Sequence, residues 1–218
     1  MVEKVSTPMA PVFDYQSKII VLGNSGVGKT SLFQKFCWND HQMFNKCKIG
    51  PDFGKKIVVC GEKAIELQVW DTCGQERWRE LPFFYYKNAE GVLIMYDITD
   101  MKSFEEVENW VTTANKNTPK AKMLLIGNKA DKKEAVVVGF DAGLQKATDL
   151  GLRFFETSAV TGYNVNEVFE ELARLIDEEK MNNDKEAVKN EIEKASFDQK
   201  EKKAEDMNVN SDKKCVIF

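Results

Sequence analysis

Short blocks of apolar residues recur along most of the chain, separated by polar and glycine-containing stretches. Five blocks rich in β-branched and aliphatic residues have the length of strands: SKIIVLG, AIELQVWDT, GVLIMYDIT, KMLLIGNK and RFFETSA. A sixth block, KKIVVCGEK, is joined to AIELQVW by a short turn at Gly61. That spacing predicts one antiparallel strand pair.

The segments between these strands carry apolar residues at the helical period. Helices are predicted at about 28–37, 102–117, 139–150 and 164–179. Strands that alternate with helices are typical of an α/β fold with a mainly parallel sheet. The pattern therefore predicts a mostly parallel six-stranded sheet with one antiparallel edge and helices on both faces.

The apolar periodicity stops soon after Ile176. The following residues are mixed in charge and almost lack large apolar side chains, so they cannot offset the entropy lost on ordering. We predict a flexible N-terminus at 1–14, a folded domain at 15–178 and a disordered or weakly helical tail at 179–218. A short exposed helix around KEAVKNEIEKA is the alternative for the tail.

Composition and charge exclude several classes of protein. Lys and Arg number 31 against 35 Asp and Glu, a net charge of −4, which argues against a nucleic-acid-binding protein. No apolar run approaches the ~20 residues that span a bilayer, and the first residues resemble neither a signal peptide nor a myristoylation site. Five scattered cysteines and one histidine argue against a zinc site and favour free thiols in a reducing cytosol.

GNSGVGKT, from Gly23 to Thr30, lies between a predicted strand and a predicted helix. It matches G-x-x-x-x-G-K-[ST], whose backbone N–H groups and helix N-terminus bind phosphates. Lys29 is predicted to reach the β- and γ-phosphates, and the Thr30 hydroxyl to bind Mg²⁺. A glycine-rich turn that binds nothing is the alternative, which the complete pattern disfavours. The predicted contact residues of this loop are Asn24, Ser25, Gly26, Val27, Gly28, Lys29, Thr30 and Ser31.

NKAD, from Asn128 to Asp131, follows the strand MLLIGNK and selects the base. The Asp131 carboxylate can accept hydrogen bonds from N1–H and the 2-amino group of guanine, whereas adenine offers neither donor. Such polar pairing can reject the lacking analogue by ~10⁴-fold. GTP and GDP are therefore the predicted ligands. Contacts are predicted for Asn128, Lys129 and Asp131, and for Ser158 and Ala159 of ETSA through their backbone.

WDTCGQE supplies the third part of the predicted site. We predict that Asp71, at the end of a strand, faces the magnesium through water, that the Gly74 amide approaches the γ-phosphate, and that Gln75 orients the attacking water. Lys29, Gly74 and Gln75 are the predicted catalytic residues, and Thr30 and Asp71 the predicted metal-site residues.

These motifs, in this order, resemble those of Ras-like small GTPases. The segments IGPDF, LQVW, ERWREL, YYKNA, MYDIT and FFETSAVTGYNVNEVFEEL are similar to those of the Rab family. The resemblance covers about residues 15–178 and implies the P-loop NTPase small-GTPase fold.

The resemblance also implies a function and partners. A Rab-like protein is expected to be a monomer that hydrolyses GTP slowly, acts in vesicle trafficking and recruits effectors to membranes. Its expected partners are a guanine nucleotide exchange factor, a GTPase-activating protein, effectors and a prenyl carrier of the GDI type. An effector-facing aromatic triad maps onto Phe53, Trp70 and Tyr85, although aromatic residues on strands are more often core. His41 maps onto the ring that flanks the guanine.

Lys48 departs from the family pattern, because it stands where the switch I threonine binds Mg²⁺. A protonated lysine cannot bind a metal, although its charge could contact the γ-phosphate. Two hypotheses follow: a working switch in which Lys48 compensates, or a nucleotide-binding interaction module with weak switching. A third hypothesis is a generic P-loop ATPase or nucleotide kinase, and Asp131 argues against it.

CVIF, from Cys215 to Phe218, fits the C-a-a-X pattern, and Phe218 favours geranylgeranyl on Cys215. This predicts a cytoplasmic protein reversibly attached to the cytosolic face of an intracellular membrane. A single lipid chain gives limited anchoring.

Overall fold

The computed structural model describes residues 12–38, 53–72 and 83–211. Six strands form one sheet in the order β2-β3-β1-β4-β5-β6. β2 is antiparallel to β3, and every other neighbouring pair is parallel. This confirms the predicted fold class. The strands are β1 (Tyr15–Gly23), β2 (Phe53–Cys60), β3 (Lys63–Asp71), β4 (Gly91–Asp97), β5 (Lys122–Asn128) and β6 (Arg153–Thr157).

The four predicted helices all occur, and two features were not predicted. The predicted helix at 102–117 is divided at Glu106, and a four-residue helix precedes β4, too short to show a periodic pattern in sequence. The helices are α1 (Lys29–Trp38), α2 (Phe83–Tyr86), α3 (Met101–Glu105), α4 (Val107–Asn117), α5 (Phe140–Asp149) and α6 (Val165–Ser211), with a 3-10 turn at Lys133–Ala135.

Hydrophobic cores lie on both faces of the sheet. On one face, α1 and α6 pack on the strands, and the rings of Phe36 and Phe169 stack with centroids 3.7 Å apart. On the other face, Val111 of α4 and Ala147 of α5 pack in a cluster with Tyr96. All seven residues of β4 are buried, as expected for a parallel strand covered on both sides.

The helix α6 runs to Ser211, so it continues through the segment predicted as a disordered or weakly helical tail and includes KEAVKNEIEKA, the alternative exposed helix. Lys, Glu and Ala, which have high helix propensity, are abundant there, and propensity needs no apolar face to act. The chain divides into two compact units between Ile176 and Asp177. Within the described part of the chain, no helix is long and apolar enough to cross a membrane.

The parallel strands bring several polar residues to one edge of the sheet. Asp97 at the end of β4 lies beside Asn128 at the end of β5, and Asn128 lies beside Thr157 at the end of β6. At the end of β3, Asp71 pairs in register with Val21 of β1, two residues before Gly23. Ligands bind at the carboxyl ends of such strands, so this edge holds the candidate site.

Candidate nucleotide-binding site

The loop between β1 and α1 has a backbone that only glycine adopts readily. Gly26 and Gly28 have φ angles of 82° and 101°, in the left-handed region. A Cβ at Gly28 would lie 2.3 Å from Asn128 Nδ2, so a side chain there would displace the Asn128 amide. Ser25 and Gly26 are exposed, so the loop presents its backbone to solvent.

Lys29 lies under this loop with only 1% of its surface exposed. Its ammonium donates hydrogen bonds to the carbonyl oxygens of Gly23, at 2.8 Å, and Asn24, at 2.9 Å. A buried ammonium requires such partners. The arrangement holds a positive charge against the loop in which phosphate binding is predicted.

Thr30 and Asp71 meet beside the loop. The Thr30 hydroxyl, in the first turn of α1, donates a 2.6 Å hydrogen bond to Asp71 Oδ2 at the end of β3. Thr72 holds that strand end in place through a 2.6 Å bond to the Val21 carbonyl.

A hydroxyl and a carboxylate are the hard oxygen donors that Mg²⁺ prefers, so the pair of Thr30 and Asp71 fits this ion. Among the residues that the structure describes, no three His, Cys, Asp or Glu side chains form a metal-binding group. Mg²⁺ usually takes one or two protein ligands and completes its shell with phosphate oxygens and water. The donor set therefore suits a metal bound together with a nucleotide.

Asn128 joins three parts of the site. It is buried at the end of β5, where its Nδ2 donates to the Val27 carbonyl of the loop at 2.9 Å. Its Oδ1 accepts a 3.0 Å bond from the Thr157 hydroxyl of β6. Both ends of this amide are thus engaged, and Asn128 ties the loop to β5 and β6.

Asp131 is exposed, and one of its carboxylate oxygens accepts a hydrogen bond from a buried residue. The buried Ser158 hydroxyl donates a 2.6 Å bond to Asp131 Oδ1 and accepts one from the Thr161 backbone N–H at 3.1 Å. Because a carboxylate can only accept, the Ser158 hydroxyl is the donor of this bond, and the Thr161 N–H uses one of its lone pairs. The sequence predicted only backbone contacts at Ser158, and this role of the side chain was missed.

Asp97 is a further residue at this end of the sheet, which no sequence motif indicates. Lys129, whose φ is 69°, forms a 2.5 Å ion pair with Asp97 Oδ2. Burial raises the pKa of Asp97, but bonds from Lys129 and Thr99 outweigh it, so the pKa lies below the ordinary value for aspartate. The position of Asp97 at the end of a parallel strand could have indicated it as a site residue, because Asp71 and Asn128 are also the last residues of their strands.

Asn24 receives a hydrogen bond from a distant helix. Trp110 Nε1, on α4, donates to Asn24 Oδ1 at 2.7 Å across 86 positions of sequence. A tryptophan on an amphipathic helix is ordinarily a packing residue, so no local signal in the sequence reveals this contact.

Two of the three predicted effector-surface aromatics contact each other. The rings of Trp70 and Tyr85 meet edge to face, with centroids 6.1 Å apart, but Tyr85 is only 2% exposed. The backbone of Phe53 lies opposite Trp70 in the β2–β3 register. Exposed aromatic surface beside Tyr85 comes instead from Phe83 and Phe84, at 65% and 54% exposed.

Ser31 is exposed on α1, and Ala159 is half-buried after β6. Five predicted site residues lie outside the described part of the chain, namely His41, Lys48, Gly74, Gln75 and Cys215. The roles assigned to them stay predictions.

Comparison with known proteins identifies the family of this chain. The model of the Ras family matches residues 18–178. The chain is 44% identical over 165 residues to the Ras-related protein Rab-3 of Caenorhabditis elegans, covering 75% of each chain. It is 41% identical over 169 residues to Rab-13 of Canis lupus familiaris, covering 77% of this chain and 83% of the relative. Human Rab-3A is 41% identical over 165 residues, 75% of each chain.

The family match covers the loop that precedes α1, the end of β3 and the Asn128–Asp131 segment. The identity to the Rab proteins extends over three quarters of the chain. The predicted family is therefore confirmed: this chain belongs to the Ras family and is a Rab-like small GTPase, an enzyme that hydrolyses GTP.

Proposed function

We propose that this protein is a membrane-trafficking switch that binds GTP and GDP with Mg²⁺, hydrolyses GTP slowly and recruits effectors to membranes. The observation that carries the proposal is the hydrogen bond from Asn128 Nδ2 to the Val27 carbonyl, which joins the phosphate loop to the segment bearing Asp131. One ligand with phosphates at one end and a base at the other would bridge these two parts.

At the phosphate end, the chain supplies charge and position. Lys29 would exchange its loop carbonyls for β- and γ-phosphate oxygens, which are stronger acceptors for an ammonium. Thr30 and Asp71 would hold Mg²⁺, directly or through water, and the metal would supply neutralisation of phosphate charge. Gly74 and Gln75 are assigned to the γ-phosphate and to the attacking water.

At the base end, Asp131 is the group that reads guanine. Its Oδ1 is fixed by Ser158, so the carboxylate is oriented before a base arrives. Fixing a binding group in advance lowers the entropy lost on association.

Membrane attachment is assigned to geranylgeranyl on Cys215, in a sequence that ends CVIF. In the ten residues before that cysteine, Lys213 and Lys214 are outnumbered by Glu205, Asp206 and Asp212, so attraction to anionic lipid is weak. We therefore assign membrane residence to protein partners, together with regulation by an exchange factor, an activating protein and a GDI-type carrier. A full-length protein that localises no better than its prenylated tail alone would contradict this assignment.

The test uses the purified full-length chain. Nucleotide released on denaturation is identified by chromatography, and single-turnover GTP hydrolysis is measured with Mg²⁺ and with EDTA. We expect bound GDP or GTP and Mg²⁺-dependent conversion to GDP. Release of adenine nucleotides, or equal rates with and without Mg²⁺, would contradict the proposal.

Lys48→Thr tests how the switch detects the third phosphate. Restoring the hydroxyl adds a metal ligand that is used only with GTP, and a bond to a charged group is worth about 1.5–3 kcal/mol. The GTP-over-GDP affinity ratio should therefore rise by about 10- to 100-fold with Mg²⁺ and stay constant in EDTA.

Lys46→Thr is the matched control, because it removes the same charge two positions earlier. If Lys48→Thr leaves the Mg²⁺-dependent ratio unchanged, Lys48 is not the residue that sets switching. No observation favours the interaction-module hypothesis over the GTPase.

A further inference from the structure

A side chain of the helix α4 donates a hydrogen bond to the phosphate loop. Trp110 Nε1 donates to Asn24 Oδ1 at 2.7 Å, and the half-buried indole also packs on the core that covers this face of the sheet. The donor is thus fixed by packing before it meets the loop. Asn24 is the first residue after β1, where the chain turns away from the sheet.

Asn24 is held from two directions. Its side-chain oxygen accepts from Trp110, and its backbone carbonyl accepts from the Lys29 ammonium at 2.9 Å. Phosphate oxygens compete with that carbonyl for Lys29. When a nucleotide is bound, the contact between Lys29 and Asn24 weakens, so the Trp110 bond becomes the more important restraint on this residue.

We propose that Trp110 is a positioning residue for the phosphate loop: its hydrogen bond to Asn24 holds the loop backbone in its binding conformation and slows nucleotide release. This inference rests on the proposed function, because it takes the loop as the phosphate site. Trp110 touches neither the nucleotide nor the metal in this scheme and acts only through Asn24.

A contact of this kind has a modest, measurable effect. A partly buried neutral hydrogen bond contributes enough to change a rate by about 3- to 10-fold. The hydrogen bond needs both partners, so removing either one should increase the rate of nucleotide release by the same factor. A double-mutant cycle separates such a pair from two independent packing effects.

The experiment compares the wild type, Trp110→Phe, Asn24→Leu and the double variant as full-length protein. Phenylalanine keeps an aromatic ring but no N–H, and leucine keeps the approximate volume of asparagine without an acceptor. Each protein is loaded with a fluorescent GDP analogue, and its release is followed after addition of excess unlabelled GDP. Each single variant should release the analogue about 3- to 10-fold faster, and the double variant no faster than the faster single one.

Asn109→Ala on the same helix is the control, because its side chain bonds only to the exposed Glu106 among the contacts described. Its release rate should match the wild type. Multiplicative effects in the double variant, or Trp110→Phe with a lower melting temperature and an unchanged release rate, would overturn the inference. A wild-type protein that does not bind the analogue would instead overturn the proposed function itself.

A second readout does not depend on release. The chain contains four tryptophans, and Trp110→Phe identifies the Trp110 indole N–H signal in a ¹⁵N NMR spectrum by its absence. That signal should shift in Asn24→Leu and remain in place in Asn109→Ala. An unshifted signal in Asn24→Leu would show that the bond is absent in solution.

Discussion

Replacing Asp131 with asparagine should abolish the preference for guanine over adenine nucleotides. The carboxylate offers two acceptors to N1–H and the 2-amino group, whereas an amide offers one acceptor and one donor. The donor then faces the 2-amino group, and one bond is replaced by a clash of like groups. The lost bond, together with the weakening of the other from a charged to a neutral acceptor, costs about 2–4 kcal/mol, so GDP affinity should fall about 30- to 1,000-fold.

The same substitution should also create a new base preference. Xanthine carries N1–H and has a carbonyl in place of the 2-amino group. The oxygen of the introduced amide can accept from N1–H, and its NH₂ group can donate to that carbonyl. Asp131→Asn should therefore bind xanthosine diphosphate more tightly than GDP. Competition binding against a fluorescent GDP analogue, with GDP, ADP and xanthosine diphosphate, measures all three affinities.

Asp141→Asn is the matched control, since Asp141 is an exposed aspartate in the first turn of α5. It makes the same change in charge outside the site and should leave the base preference unchanged. An Asp131→Asn protein that still prefers GDP over ADP to the wild-type extent would contradict the assignment of this residue.

Replacing Lys29 with alanine should remove most of the affinity that depends on the β-phosphate. The wild-type ammonium is buried beneath the loop and is bonded to the Gly23 and Asn24 carbonyls. With nucleotide bound, two bonds from an ammonium to phosphate are worth about 3–6 kcal/mol, which corresponds to about 10²- to 10⁴-fold.

The sharp readout is the ratio of GDP to GMP affinity, measured by the same competition assay. GMP lacks the β-phosphate, so Lys29→Ala should lower GDP affinity far more than GMP affinity. Asp131→Asn should weaken both to the same extent, so the two variants separate the two ends of the site.

Lys35→Ala, in the last turn of α1, removes the same charge from the same helix outside the loop and serves as the control. Parallel melting curves without nucleotide report any loss of fold stability. A Lys29→Ala protein with a wild-type GDP-to-GMP ratio would show that the buried ammonium serves only the loop carbonyls.

Local patterns were sufficient for much of the fold. All six strands and four of the helices could be predicted because a run of apolar residues reports burial wherever its partners lie. The loop motif was equally readable, because its glycines and Lys29 act within eight consecutive residues. The end of α6 was not, since a polar segment with high helix propensity looks in sequence like a disordered one.

The sequence by itself determined the fold class and the family, and it predicts the chemistry of the phosphate and base motifs. Only the tertiary structure decided which groups support them: Trp110 behind Asn24, Asp97 beside Lys129, and the Ser158 hydroxyl under Asp131. It also showed that Tyr85 is buried and that Phe83 and Phe84 are exposed. The physical reason is that these contacts join residues distant in sequence. The partner of such a side chain depends on strand order and helix packing, which the periodicity of apolar residues does not report.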